Sequence, residues 1–319
     1  MTPQSAQRVL QALRFALGEA LDRFLADADI TEIMVNPDGR IWTESVARGR
    51  AASEASLSPI QVENSLRLLA NIEHQVLNSS NPRISGQIPV LQYRFQGAVP
   101  PVSASPILVI RKPKLGLSSL EAWLDIGSIN PRQKHILEHS LRERLNIIVA
   151  GGTSSGKTTL ANALLNDPFV TTDRIAILED TPELTCEAPD QVRLRTRASN
   201  PVVTLGDLVH DCLRLRPDRI IVGEVRDGAA LDLLKAWNTG HPGGVTTLHA
   251  NSAVDALVRL EELAQERTPT APRRLIGRTV DLIVYIRRGP LGRRIEQMAR
   301  VEGWAAGGYR ISNPELTNP

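Results

Sequence analysis

Only two cysteines, Cys186 and Cys212, stand in the 319 residues, and their separation matches no metal-ligand spacing. A disulfide framework and a cysteine zinc module are both excluded, and the pair reads as free thiols of a reducing compartment. Aromatic residues make up 3% of the chain, too few for a platform on which single-stranded bases stack. No apolar run approaches the roughly 18 residues that a spanning helix needs, and no charged-then-apolar leader opens the chain. Neither membrane spanning nor a secretory signal is expected. An excess of one charge is missing as well. Thirty-seven basic residues face 35 acidic ones, for a net charge of +2, which argues against direct nucleic-acid binding by a basic coat. Five lysines against 32 arginines is a compositional bias scattered along the chain, and it implies no function.

What is present is an ordinary globular composition, 42% hydrophobic and 23% charged, with length for two domains. The sequence predicts a smaller α+β domain over 1–112, a linker over 113–126, and an α/β domain over 127–319. In the first domain Leu10, Leu13, Leu17, Leu21 and Phe24 recur at helical spacing and are expected to pack on their own domain. A hairpin follows, with Asn36-Pro37-Asp38-Gly39 as its turn. A helix is predicted from Ser58-Pro59 to about Leu77, with Val62, Leu66, Leu69 and Val76 inward. Short strands broken by Pro89, Pro100, Pro101 and Pro106 fill Ile84 to Arg111. Beyond the linker, strands and helices alternate from Asn146 to Gln265, as in a parallel sheet covered on both faces. The tail after Tyr309 is expected to fray.

Gly151-Gly152-Thr153-Ser154-Ser155-Gly156-Lys157-Thr158-Thr159 follows the apolar strand Ile147 to Ala150 and opens a helix, fitting G-x-x-x-x-G-K-[ST]. The glycines let backbone N–H groups turn toward phosphate oxygens, and the helix N-terminus adds its positive end. Lys157 is expected on the β- and γ-phosphates and Thr158 on Mg²⁺, so the cofactors implied are ATP and Mg²⁺. Two strand ends supply carboxylates: Glu179-Asp180, with Glu183 beyond, and Gly223-Glu224, followed by Arg226 and Asp227. An acid at that edge can orient water or hold a metal-bound water, which marks Glu179 and Glu224 as catalytic and metal-site candidates beside Thr158. Gly223 stands where such a strand usually ends in a metal-holding aspartate. His249 closes a third strand as a candidate γ-phosphate sensor. Arg193, Arg195 and Arg197 alternate as on one face of a strand. That pattern suits either an arginine finger or a solvated basic edge.

Leu213-Arg214-Leu215-Arg216-Pro217-Asp218-Arg219-Ile220-Ile221-Val222-Gly223-Glu224-Val225-Arg226-Asp227 resembles the signature of the secretion ATPase superfamily, which powers type II secretion, type IV pili and type IV secretion. The phosphate loop, the acidic box Leu178 to Glu183 and the histidine box ending His249-Ala250-Asn251 accompany it in family order. Arg94 to Pro101 and Ile110 to Pro113 are most similar to the conjugal-transfer branch. The resemblance implies a RecA-like P-loop ATPase domain behind a smaller N-terminal domain, in a homohexameric ring that hydrolyses ATP for conjugative transfer. It implies ATP bound between the two domains, with Arg94 and Arg111 reaching the γ-phosphate. Glu224 would polarise water, Glu179 would serve as the acidic-box residue, and His249 would sense nucleotide. Partners would be other components of the apparatus, at the cytoplasmic face of the inner membrane. Pilus and type II motors remain alternatives, although their longer N-terminal region and four-cysteine module are not in this sequence. A RecA-like nucleic-acid motor also remains, as does a scaffold that binds ATP as a structural switch and barely hydrolyses it.

Overall fold

The computed structural model describes residues 3–45, 48–73, 75–88, 91, 93–112, 117–197, 201–289, 292–305 and 307–315, without the side chains of 3–10 and 19–20. The chain forms two compact units, Met1–Lys114 and Leu115–Pro319.

The first unit is an antiparallel sheet with two helices on it. Helix α1 (Pro3–Ala26) is broken at Gly18, whose φ of +74° leaves the helical region. Leu13, Leu17, Leu21 and Leu25 of α1 are buried, while Phe15 is exposed; the side chain of Leu10 lies outside the described residues. Strands β1 (Ile30–Val35) and β2 (Arg40–Ser45) form the expected hairpin, and β3 (Gly49–Ser56) extends it. Helix α2 (Pro59–Ile72) starts as the sequence predicts. Ser58 and Gln61 cap each other reciprocally, with proline in the first turn. It ends five residues before Leu77, and Val76 is exposed beyond it. Strands β4 (Arg83–Ile88), β5 (Tyr93–Ala98) and β6 (Ile107–Arg111) complete the order β3-β2-β1-β6-β5-β4. Pro89 and Pro113 lie outside the described residues. Strand alternation turns Ile33, Val35, Leu108 and Ile110 onto the leucines of α1 and α2. Buried Lys112 donates 2.6 Å hydrogen bonds to the Phe24 and Asp27 carbonyls where α1 ends, a favourable place for a cation.

The second unit opens with α3 (Leu120–Asp125) and α4 (Pro131–Arg142). Helix α3 occupies part of the predicted linker, and its Leu120 and Trp123 are buried in this unit's core. The alternating part follows: β7 (Ile147–Ala150), α5 (Lys157–Leu165), α6 (Pro168–Thr171), β8 (Ile175–Glu179), β9 (Gln191–Arg195), α7 (Leu205–Cys212), β10 (Arg219–Val222), α8 (Ala229–Asn238), β11 (Val245–Leu248) and α9 (Ala253–Gln265). Helix α10 (Arg273–Thr279) leads into β12 (Leu282–Gly289), β13 (Gly292–Ala305) and β14 (Gly308–Ser312). The sheet order is β14-β13-β12-β7-β11-β10-β8-β9. The pairings from β12 through β9 are parallel, whereas β12–β13 and β13–β14 are antiparallel. The sheet is therefore mixed and largely parallel, and residues 308–312 pair in it rather than fray. Alternation divides the central strands between two cores, with Ile148, Ile220 and Leu248 on one face and Val149, Ile177 and Ile221 on the other.

Candidate nucleotide site

Strand β7 lies between β12 and β11 and is fully buried, so the loop after it starts from a fixed point. The loop needs its glycines for different reasons. A Cβ on Gly151 would fall 2.4 Å from the Ile286 carbonyl oxygen, and one on Gly156 would fall 2.6 Å from Arg293 Cδ. Gly156 also adopts φ +107°, a left-handed value that side chains resist. At Gly152 no described atom comes within 4 Å of such a Cβ, so packing inside the protein does not require glycine there. Close approach of a ligand would. Gly156 caps α5 without a side-chain hydrogen bond, leaving the first helical N–H groups uncapped by a side chain. Backbone donors and the helix dipole together suit an anion. Thr153 and Ser154 are exposed, Ser155 is buried, and Thr158 and Thr159 are half-buried at the start of the helix.

Strands β11 and β10 stand beside β7, and their carboxyl ends bring three predicted residues into contact. Buried Lys157 donates 2.9 Å hydrogen bonds to the Gly151 and Gly152 carbonyls. Its ammonium lies 3.4 Å from both ring nitrogens of His249. On the far side, His249 Nε2 is 2.9 Å from Glu224 Oε1, an ion-pair distance outside hydrogen-bond geometry. Glu224 Oε2 accepts from Arg226 Nε at 2.8 Å. A continuous chain of side chains thus runs from the phosphate loop across two strand tips. Burial, and then the Lys157 charge, hold the His249 imidazole below its ordinary pKa, against the pull of Glu224.

Glu179 closes β8, the next strand, and is buried. Its Oε1 accepts from the backbone N–H groups of Glu183 and Leu184 at 2.7 and 2.8 Å, fixing the turn that follows. Glu183, carried on that turn, accepts the Thr158 hydroxyl at 3.0 Å. The hydroxyl expected on Mg²⁺ therefore faces Glu183. Gly223 has a steric reason as well: a Cβ there would lie 3.1 Å from Glu179 Cγ, so the glycine admits the neighbouring strand's glutamate.

Among the described residues, no group of three His, Cys, Asp or Glu gathers as a self-sufficient metal site. Mg²⁺ carried by nucleotide phosphates needs only a hydroxyl and a carboxylate or two from the protein, and Thr158 with Glu183 fits that demand.

Of the three arginines of β9 and its extension, Arg193 and Arg195 have their side chains engaged within the chain, and Arg197 is held through its backbone. Arg193 donates to the Leu184 carbonyl at 2.9 Å and approaches Glu179 at 3.6 Å. Arg195 donates to the Asp180 carbonyl, and Arg197 lies beyond the strand in an isolated bridge to Val203. In the first unit, Arg94 of β5 and Arg111 of β6 are direct partners across the antiparallel ladder, and Arg111 pairs with Glu32 at 3.4 Å. Sequence reasoning named Glu183 only as one acid of a box. The turn that points it at Thr158 depends on backbone bonds to Glu179, which spacing does not show.

Residues 23–294 match the family described as type II/IV secretion system protein. The probable conjugal transfer protein TrbB of Sinorhizobium fredii (strain NBRC 101917 / NGR234) is 43% identical over 316 residues, covering 98% of this chain and 96% of that protein. The type IV secretion system protein VirB11 of Bartonella quintana (strain Toulouse) is 30% identical over 85% of this chain and 88% of its own length. The X-ray structure of the Legionella pneumophila ATPase DotB aligns with a TM-score of 0.62 over 94% of this chain and 81% of that one, at 19% identity, a likeness of fold.

Proposed function

This chain belongs to the type II/IV secretion system protein family, and from that membership we propose that it hydrolyses ATP to drive a type IV secretion or conjugative transfer apparatus. The observation that carries the catalytic part is the contact chain Lys157–His249–Glu224 at adjacent strand tips. In this reading the loop N–H groups of Gly151 to Thr159 bind the phosphates and Lys157 leaves its loop carbonyls for the β- and γ-phosphates. Glu224 orients a water and takes its proton as the oxygen attacks the γ-phosphorus and the bond to the β-phosphate breaks, giving ADP and phosphate. His249, touching both Lys157 and Glu224, reports phosphate occupancy to the acid. Thr158 and Glu183 would hold a Mg²⁺ carried by the triphosphate, which would supply Lewis-acid charge, in place of the expected Glu179, whose Oε1 is taken by two backbone N–H groups. Glu179 acts through the turn it fixes.

Lys157→Ala and Glu224→Gln, measured for ATP turnover beside the unaltered chain, test the assignment. Lys157→Ala is expected to abolish nucleotide binding and Glu224→Gln to retain binding but lose turnover by about 10²-fold or more. Unchanged turnover in Lys157→Ala overturns the site. Slow turnover in the unaltered chain that Glu224→Gln leaves unchanged favours an ATP-binding scaffold. The resemblance also assigns Arg94 and Arg111 to the nucleotide, and loss of turnover in Arg94→Ala and Arg111→Ala tests it. A homohexamer acting at the cytoplasmic face of the inner membrane belongs to the same proposal, with other parts of the apparatus as partners. Light scattering with ATP present is expected to return six times the mass of one chain.

A further inference from the structure

The phosphate loop has different neighbours on its two sides. Toward β11 and β10 lie His249 and Glu224, and the Lys157 ammonium sits on that side. On the other side, β12 is parallel to β7 and turns back as β13. The ladder sets Ile286 opposite Ile295 and Arg288 opposite Arg293. Both isoleucines are buried in the core that contains Leu160 and Leu164 of α5, so this face of the hairpin looks toward that helix. Arg287 belongs to the alternate set and pairs instead with Glu296 at 3.3 Å. Arg293 therefore reaches the loop. Its Cδ and Nε would lie 2.6 and 3.1 Å from a Cβ on Gly156, the residue just before Lys157 and the N-cap of the nine-residue α5.

We propose that Arg293 is a nucleotide-binding residue whose guanidinium takes the α-phosphate, on the nucleoside side of the site. This rests on the ATP reading above. With the terminal phosphates drawn toward Lys157 and His249, the polyphosphate leaves the loop on the side away from β11, which is the β12–β13 side. A planar guanidinium offers paired donors to phosphate oxygens, beside helix N–H groups that favour the same charge. Gly156 has a second reason in this arrangement, because any side chain there would displace the Arg293 stem.

The test uses the full chain with Arg293→Met, which keeps the stem, Arg293→Lys, which keeps the charge, and Arg294→Ala on the opposite face as control. ATP turnover and the affinity for a fluorescent ADP are measured for each. One lost charge-assisted contact predicts a rise of about tenfold in both KM and the ADP Kd for Arg293→Met, with kcat within about twofold. Arg293→Lys recovers part of that loss, and Arg294→Ala behaves as the unaltered chain. An arginine that merely packs over the loop would leave the KM-to-kcat split unmoved and would gain nothing from lysine over methionine. If Arg293→Met does not fold, Arg293→Lys carries the comparison, with a several-fold rise in KM supporting the contact and none overturning it. Binding lost in Lys157→Ala but unchanged in Arg293→Met overturns this inference alone. No nucleotide binding by the unaltered chain overturns the ATP reading together with it.

Discussion

At the scale of single residues, the surroundings of His249 lower its pKa, although the side chain is half-exposed. Burial and the Lys157 ammonium disfavour the imidazolium, and Glu224 only partly offsets them. The unfolded chain takes up that proton near pH 6.5, before the folded one does. The penalty on stability is therefore absent well above pH 6.5 and grows as pH falls toward the lower folded pKa. Histidine-resolved NMR on the free protein is expected to show His249 titrating below 6.5. Stability should fall more between pH 7 and pH 5 in the unaltered chain than in His249→Gln. A bound triphosphate analogue brings negative charge beside the ring and shifts the titration upward. A titration at or above 6.5 without nucleotide would refute the burial-and-lysine account. The sequence made His249, Glu224 and Lys157 legible because each ends or follows an apolar strand run. It could not show that Glu179 spends one oxygen on two backbone N–H groups, or that Glu183 thereby meets Thr158.

At the scale of elements, Arg219 shows how part of the family signature serves architecture. It begins β10 at 1% exposure and pairs with Asp173 at 2.6 Å, and it also donates to the Leu141, Phe169 and Gly243 carbonyls. One guanidinium thereby ties α4, α6 and the approach to β11 to the strand that ends near Glu224. Arg219→Met would leave Asp173 and three carbonyls without this partner, at a cost of about 3–5 kcal/mol. Arg219→Lys, which keeps charge but not the fork, should cost less. Urea unfolding of both variants checks the order, and equal stability would show the network to be dispensable. The strands of the alternating core are readable from sequence because β7 is a continuous apolar run, β8 and β10 are apolar runs with one charged end, and β11, VTTL, is β-branched and follows a glycine-rich turn. Other elements owe their form to distant partners. Strand β3, GRAASEAS, has no apolar run and forms by pairing with β2. The apolar run Leu282 to Ile286 marks β12 in the sequence, whereas β13 and β14 carry scattered arginines and few apolar residues and form by pairing with β12 and with each other.

For the whole molecule, the question is what the energy of hydrolysis moves, and the distribution of aromatic and charged groups bears on it. Proteins that track single strands join a basic groove to exposed rings on which bases stack. Here Trp123, Trp237 and Phe95 are buried, and Trp304 is packed edge-on to Tyr309 with Arg273 on its ring. Phe169 lies under the Arg142 guanidinium. Phe15 of α1 is an exposed ring among the described residues, but it stands alone on a helix whose leucines face inward. Many arginines are matched within the chain to nearby acids, as in Arg14–Asp22, Arg67–Glu63 and Arg267–Asp232, in keeping with the net charge of +2. A protein so built has few counterions to release on a phosphate backbone, so DNA should neither bind tightly nor stimulate turnover at moderate salt. ATP hydrolysis measured on one preparation, with and without single-stranded DNA, is expected to agree within about twofold. Agreement points the stimulus to a protein or lipid partner of the apparatus. Strong, salt-sensitive stimulation would place nucleic acid in the grip of the motor and favour the nucleic-acid reading over secretion.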